Sequence, residues 1–237
     1  MVKAVGFDLG ETLIHHEGIP LSWQNLYRDA LEAVAAKCSF DANDQAFSQG
    51  EQILARYNTR LNPRAIEVTS DHILGEVLSV WGLSGKEALE DATESFFSFF
   101  RKHLQVYEDV LSALQLLRHN RIKIGILTDV PYGMPRRFVD EDVISIVSYI
   151  DVLLTSVDVG YRKPESKGFL NLAKCLGVNL SEMVYVGNEP KDIAGAKNAG
   201  IFAILIDRDN NISSCGEDVR ISSLSELPGI YQSIVRK

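Results

Sequence analysis

Four short segments of this chain each follow an apolar run with a side chain able to do chemistry. FDLGETL (Phe7 to Leu13) places a carboxylate, Asp8, after the run Val2 to Phe7, and GILTDV places a hydroxyl, Thr128, after Ile122 to Leu127. VGYRKP places an ammonium, Lys163, after Val152 to Leu154, and VYVGNEPKDIAGAKNAG gathers Asn188, Glu189 and Asp192 after Met183 to Val186. Carboxylate, hydroxyl, ammonium and an oxygen cluster, in that order, suit nucleophilic attack on an anionic electrophile. Asp8 would attack, Thr12, Thr128 and the amides of the first turn would hold anionic oxygens, and Lys163 would supply positive charge. Singly, each has an ordinary explanation: a strand-end turn, a solvated lysine, or acids that complement a helix dipole. Their combination carries the inference.

The elements that must position these residues are legible in the same runs. Together with Ile201 to Ile206 there are five apolar runs rich in β-branched residues, and helix-length segments, Glu165 to Leu176 and Lys191 to Asn198, separate the later ones. Alternation of strand and helix predicts a parallel sheet covered on both faces. Ligands of such a sheet sit beyond the carboxyl ends of its strands. Pro164 restricts Lys163 to extended backbone just before a helix starting near Glu165.

The rhythm breaks between the first and second runs. From about Ile14 to Gln105 the periodicity is helical, with no comparable strand. Leu21, Leu26, Ala30, Ala33 and Val34 favour one face of a first helix, Phe47, Leu54 and Tyr57 one face of a second, and Leu89, Thr93, Phe96, Phe97 and Phe100 a further stripe. The sequence therefore reads as an α/β core built on a parallel sheet, residues 1–13 and 106–237, with a helical bundle, residues 14–105, inserted beside the crevice of Asp8; the resemblance described below makes these a Rossmann-like core and its α-helical cap. A helix from Val110 to Leu117 follows the cap, Asp207 to Glu217 reads as a surface loop, and a final helix spans Leu224 to Val235.

A chain of 237 residues can bury a substantial core. Its 24 basic and 32 acidic side chains give a formal charge of −8, which disfavours a nucleic-acid partner. Cys38, Cys175 and Cys215 are odd in number and lack metal or redox spacing, so they read as reduced thiols of a cytoplasmic protein. No run reaches membrane-spanning length and no signal segment precedes the first strand, so solubility is expected.

With these motifs in order, the chain resembles the haloacid dehalogenase superfamily, whose four motifs correspond to FDLGETL, LTD, the Lys of YRKP and GNEPKD. The resemblance implies an Asp nucleophile, Mg²⁺ and, most often, hydrolysis of a small phosphorylated substrate through an aspartyl-phosphate. It assigns attack to Asp8 and oxygen stabilisation to Thr12, Thr128 and Lys163, with Asp129 also at the substrate. The metal would be held by Asp8, the Gly10 carbonyl and Asn188, with Asp192 binding directly or orienting a metal-bound water. Physical reasoning agrees that cations are needed: a carboxylate about 3.5 Å from a phosphate dianion meets roughly 9 kcal/mol of repulsion at an effective dielectric near 20. Arg56 and Arg60 are the cap residues that would recognise a second anionic group, sharing a face if both are helical.

The chain departs from the family pattern at two places. Gly10 stands where most phosphatases of the superfamily carry a second Asp, the acid and base of the reaction. Three explanations stay open: Glu11 takes over as the acid, the leaving group needs little protonation, or the fold is catalytically attenuated and binds or regulates. Asn188 replaces a usual Asp and brings no charge to the metal. Dehalogenation and phosphonate cleavage, the latter with Lys37 as a nominal Schiff-base residue, are the remaining alternatives.

Overall fold

A computed structural model describes residues 2–19 and 22–230. In chain order its elements are β1 (Ala4–Phe7), β2 (Ile14–His16), α1 (Tyr27–Lys37), α2 (Asp44–Tyr57), α3 (Ser70–Val80), α4 (Lys86–Phe100), β3 (Leu104–Val106), α5 (Val110–His119), β4 (Lys123–Thr128), α6 (Arg136–Asp142), β5 (Val152–Thr155), α7 (Ser156–Val159), α8 (Ser166–Leu176), β6 (Met183–Gly187), α9 (Pro190–Asn198), β7 (Phe202–Ile206) and β8 (Val219–Ile221). The chain divides into two compact units, Met1–His15 with Gln105–Asp129 and Asp140–Lys237, and His16–Leu104 with Val130–Val139.

The first unit is the expected α/β Rossmann-like core. Its six strands lie in the order β5-β4-β1-β6-β7-β8, all parallel. The chain builds outward from β1 to β4 and β5, then returns to the other side of β1 for β6, β7 and β8, so β1 is the point where strand order reverses. Such a reversal opens a crevice at the carboxyl edge. Register makes that edge level: Phe7, the last residue of β1, pairs with Ile126 on one side and Val186 on the other. The residues that follow, Asp8, Thr128 and Asn188, therefore leave the sheet at nearly one height.

The helix that follows the site's ammonium, α8, is docked by absent side chains. Gly6 and Gly125 are register partners in adjacent strands. A Cβ on Gly6 would stand 2.9 Å from Leu172 Cδ2, and one on Gly125 would stand 2.8 Å from Leu172 Cδ1 and 2.9 Å from Leu176 Cδ1. The two bare positions let α8 sink its Leu172 and Leu176 ridge onto the sheet, joining Phe169, Tyr185 and Ile193 in a buried cluster. α8 ends at Gly177 in the left-handed conformation, which glycine adopts without a Cβ penalty.

The second unit is helical. α1 buries Ala30, Leu31 and Val34, and α4 buries Thr93, Phe96, Phe97 and Phe100. Trp23 stacks on Phe100 with ring centroids 3.7 Å apart. Residues 130–139 belong here through Tyr132, whose hydroxyl meets that of Tyr27 at 2.5 Å, and Phe138, which packs on Phe97.

Several elements differ from the sequence expectation. The stretch from Ile14 to Gln105 is expected to hold no strand comparable with the five apolar runs, and its only sheet structure among the described residues is the pairing of β2 with β3 as a two-stranded ribbon. Each is three residues long, too short for an alternating pattern to register. α3 and β8 were also unforeseen, and residues 130–139 were assigned to the core. Leu21 lies outside the described residues. The final helix is seen from Leu224 to Ile230, and its expected continuation to Val235 lies outside them.

Docking of α8 by bare strand positions gives a direct test. Gly125→Ala is expected to cost about 1–3 kcal/mol by overpacking, read from the urea midpoint. An unchanged midpoint would show that α8 does not need the close approach.

Candidate active site

The site begins with a buried carboxylate. Asp8 leaves β1 with its N–H donating to Val186 O at 2.9 Å and keeps only 7% of its surface exposed. Its Oδ1 accepts from Lys163 Nζ at 2.6 Å. Burial pushes the Asp8 carboxyl up to about 7, opposed by the Lys163 charge and reinforced by that of Asp192.

Lys163 is the charge centre of the site. It is 5% exposed, and its Nζ also lies 2.5 Å from Asp192 Oδ1 as an ion contact, 3.2 Å from Tyr185 Oη and 3.3 Å from Leu127 O. Burial alone would lower its pKa; the charges of Asp192 and Asp8 more than reverse this and hold the ammonium well above its usual value. Lys163 thus stays charged between two carboxylates. The peptide bond to Pro164 is cis, and α8 begins at Ser166.

Asp192 reaches this position because β6 ends in glycine. A Cβ on Gly187 would stand 2.4 Å from Asp192 Cβ and 2.5 Å from its Cγ. Asp192 is fully buried, and its Oδ2 accepts from Glu189 N at 2.9 Å, closing a capping box at the start of α9. The residue expected at a metal therefore has one oxygen on Lys163 and the other on a backbone amide.

Asn188 meets the first turn from the other side. The amide atom facing the loop is 3.2 Å from Asp8 Oδ2, 3.2 Å from Gly10 O and 3.3 Å from Thr12 Oγ1. Turned nitrogen-first, the amide donates to these oxygens. Turned oxygen-first, it sets an oxygen 3.2 Å from both Asp8 Oδ2 and Gly10 O, two sides of an oxygen triangle that are close to the roughly 3 Å edge of an octahedron with 2.0–2.1 Å bonds. Among the described residues no group of three His, Cys, Asp or Glu side chains could hold a metal, so any such centre must mix carboxylate, carbonyl and amide oxygens. Thr12 is fully buried and Thr128, at the end of β4, is 6% exposed.

The other expected residues lie as follows. Asp129 accepts from Lys163 N at 3.1 Å through Oδ1, while its Oδ2 is 3.3 Å from Lys191 Nζ and 3.9 Å from Arg162. It anchors the backbone of the catalytic lysine candidate. Glu189 pairs with Lys191 at 2.8 Å. Glu11 sits in a left-handed turn at φ 55° and its Oε2 accepts from Tyr107 Oη at 2.8 Å. Within the helical unit, Arg56 closes the last turn of α2 and ion-pairs with Glu76. Arg60 lies beyond that helix, which ends at Tyr57, so the shared helical face expected for the two arginines is not formed. The chain breaks away at Asn58, whose Oδ1 accepts from Arg60 N at 2.9 Å. Lys37 pairs with Asp91 at 3.4 Å.

Two residues of this neighbourhood escaped the sequence reading. Tyr185, a phenol in an otherwise aliphatic buried strand, donates to Leu127 O at 2.7 Å beside Lys163. A buried tyrosine needs a partner for its hydroxyl, which is the signal that marks it. Arg208, placed in the expected surface loop, instead reaches the first turn. Its guanidinium grips both oxygens of Asp109 at 2.9 and 3.1 Å, donates to Thr12 O at 2.8 Å and lies 3.8 Å from the Tyr107 ring centre. The turn that carries Asp8, Gly10 and Thr12 is thereby held from the segment that follows β7. Arg208→Ala should lower stability by about 2–3 kcal/mol, the loss of hydrogen bonds to a charged group, and Arg208→Lys should restore only part because a point charge cannot form the fork. Equal unfolding free energies for the three proteins would refute the clamp.

Known proteins resemble this chain in sequence and fold. The model of the haloacid dehalogenase-like hydrolases matches residues 2–200. The glyceraldehyde 3-phosphate phosphatase of Methanopyrus kandleri is 26% identical over 212 residues, covering 88% of this chain and 85% of that one. Among solved structures, a 2-haloacid dehalogenase from Pseudomonas syringae pv. Tomato superposes with a TM-score of 0.72 at 25% identity, covering 99% and 100% of the two chains. A HAD phosphatase from Thermococcus onnurineus gives a TM-score of 0.65 at 28% identity, covering 97% and 98%. A family match over most of the sequence, on a six-stranded parallel sheet with four motif segments at one edge, places the chain in the haloacid dehalogenase-like hydrolase family.

Proposed function

We propose that this hydrolase is a Mg²⁺-dependent phosphatase of a small phosphorylated metabolite, with Asp8 as nucleophile. The observation that carries the reading is the division of labour at Asp8: one oxygen is held by Lys163, and the other faces the Gly10 carbonyl and Asn188. The curated relative that acts on glyceraldehyde 3-phosphate supports phosphate chemistry over dehalogenation.

Asp8, the Gly10 carbonyl and Asn188 are the residues that would hold Mg²⁺, a hard cation suited to an all-oxygen set. When bound, the ion supplies charge neutralisation between an anionic nucleophile and an anionic phosphoryl group. Lys163 favours the ionised form of Asp8, aims it, and shares its charge with the transferring group. The Thr12 and Thr128 hydroxyls serve as donors to phosphoryl oxygens. Asp192 acts through Lys163, which it holds in place, and Asp129 fixes the same lysine by its backbone. In this reading the helical unit serves as a cap that excludes bulk water from the acylphosphate.

Turnover of phosphate compounds should be lost in Asp8→Asn, on a protein whose circular dichroism is unchanged. An active Asp8→Asn, or hydrolysis of a 2-haloacid in place of any phosphate compound, would overturn the reading. Chelation should abolish turnover and Mg²⁺ restore it. Asn188→Asp adds a charge to the oxygen triangle, so half-maximal activity should need less Mg²⁺ than in the parent. A titration requiring the same or more Mg²⁺ would remove Asn188 from the metal site.

A further inference from the structure

We infer that the substrates of this site are phosphoryl compounds whose leaving group departs as a stable anion, acyl phosphates and phosphoric anhydrides, rather than alkyl phosphate esters. The inference rests on the phosphatase reading above and names its substrate class. Expelling an alkoxide requires a proton from a side chain able to reach the departing oxygen. In the unit that carries Asp8, the acids of the four motif segments are each engaged as acceptors. Glu11 accepts from Tyr107 at 2.8 Å, Asp129 from Lys163 N at 3.1 Å, and Asp192 is divided between Lys163 and Glu189 N. Glu189 is bound to Lys191, and the Tyr185 proton points at Leu127 O. Each carboxylate in this group is an acceptor of hydrogen bonds or ion contacts, and each hydroxyl proton is directed into the protein.

The position two residues past the nucleophile, where a donor would be nearest, carries no side chain. Gly10 is exposed, its φ lies outside the positive range, and a Cβ built on it meets nothing within 4 Å. Nothing steric therefore requires glycine there, and a carboxyl group would fit. As it stands, the first step forms a bond from Asp8 Oδ to phosphorus and breaks the bond from phosphorus to the leaving oxygen, whose electron pair departs with a carboxylate or phosphate anion. No proton moves. In the second step a water oxygen attacks phosphorus, the bond to Asp8 breaks and regenerates the carboxylate, and the water proton passes to solvent.

The test compares acetyl phosphate, pyrophosphate, p-nitrophenyl phosphate, phenyl phosphate and glycerol phosphate with Mg²⁺, in the parent and in Gly10→Asp. Rates in the parent should fall steeply as the leaving group becomes more basic, with glycerol phosphate last. Gly10→Asp should compress that spread, raising kcat/KM on glycerol phosphate by about 10²- to 10⁴-fold, the usual contribution of a general acid. Independently of turnover, intact mass after mixing with acetyl phosphate should reveal a covalent phosphate on the parent and none on Asp8→Asn. A flat profile in the parent would show that a proton donor reaches the leaving group and would overturn the inference while leaving the phosphatase reading standing. The parent profile decides this even if Gly10→Asp fails to fold. If no compound turns over and no adduct forms, the phosphatase reading falls and takes the inference with it.

Discussion

Lys163 brings its ammonium into a buried position where Asp8 and Asp192 both lie within 2.6 Å, and much of the sheet unit serves to keep it there. A lysine stripped of water tends to lose its proton, and only close negative charge holds it. Two carboxylates do so, but one positive charge cannot neutralise both. Asp8 is the partner whose pKa burial pushes up to about 7, with the Asp192 charge adding to the shift and the Lys163 charge opposing it. In the proposed reading, a carboxylate in that condition would be completed by a further cation.

Three separate features of the sequence converge on that lysine. Gly6 and Gly125 let α8 sit close to the sheet, and Pro164 and Glu165 join α8 to Lys163. Gly187 clears the space into which Asp192 folds. Asp129, at the end of β4, accepts from the lysine's own N–H and so ties the third motif to the second. None of these groups need touch a substrate. A buried ion cluster is a poor source of net stability, because desolvation offsets most of the Coulombic gain, so stability alone gives little reason for this one.

What could be read in advance follows the range of the interactions involved. Strands β1, β4, β5, β6 and β7 and helices α5, α8 and α9 announce themselves by local apolar periodicity, and the motif residues follow because each ends its strand. Elements of three residues, such as β2, β3 and β8, carry too little pattern to register. Residues 130–139 look like a continuation of the core, yet Tyr132 and Phe138 pack among aromatics of the helical unit. That partnership spans 30 residues or more of sequence, and no local pattern encodes it. The same holds for Arg208, which reads as loop polarity until Asp109, Thr12 and Tyr107 are seen around it.

Arg208 also shows how a turn too short to support itself is made rigid. Residues 8–14 include a left-handed Glu11, a conformation that costs a side-chain-bearing residue about 1 kcal/mol or more, and their internal bonds run from Glu11 N to Ile14 O and from Leu13 N to Leu9 O. Local bonds of this kind fix the shape of the turn but not its orientation on the sheet. Orientation comes from outside: Arg208 holds the Thr12 carbonyl, and the same guanidinium covers Tyr107, which holds Glu11. Asp109 in turn is fixed by Ser223 and Leu224, both at 2.8 Å, so the support extends to the last described helical turn. Asp8 is thus held by Lys163 at its side chain and by a chain of contacts behind its backbone, and the second constraint is what allows the first to specify a direction.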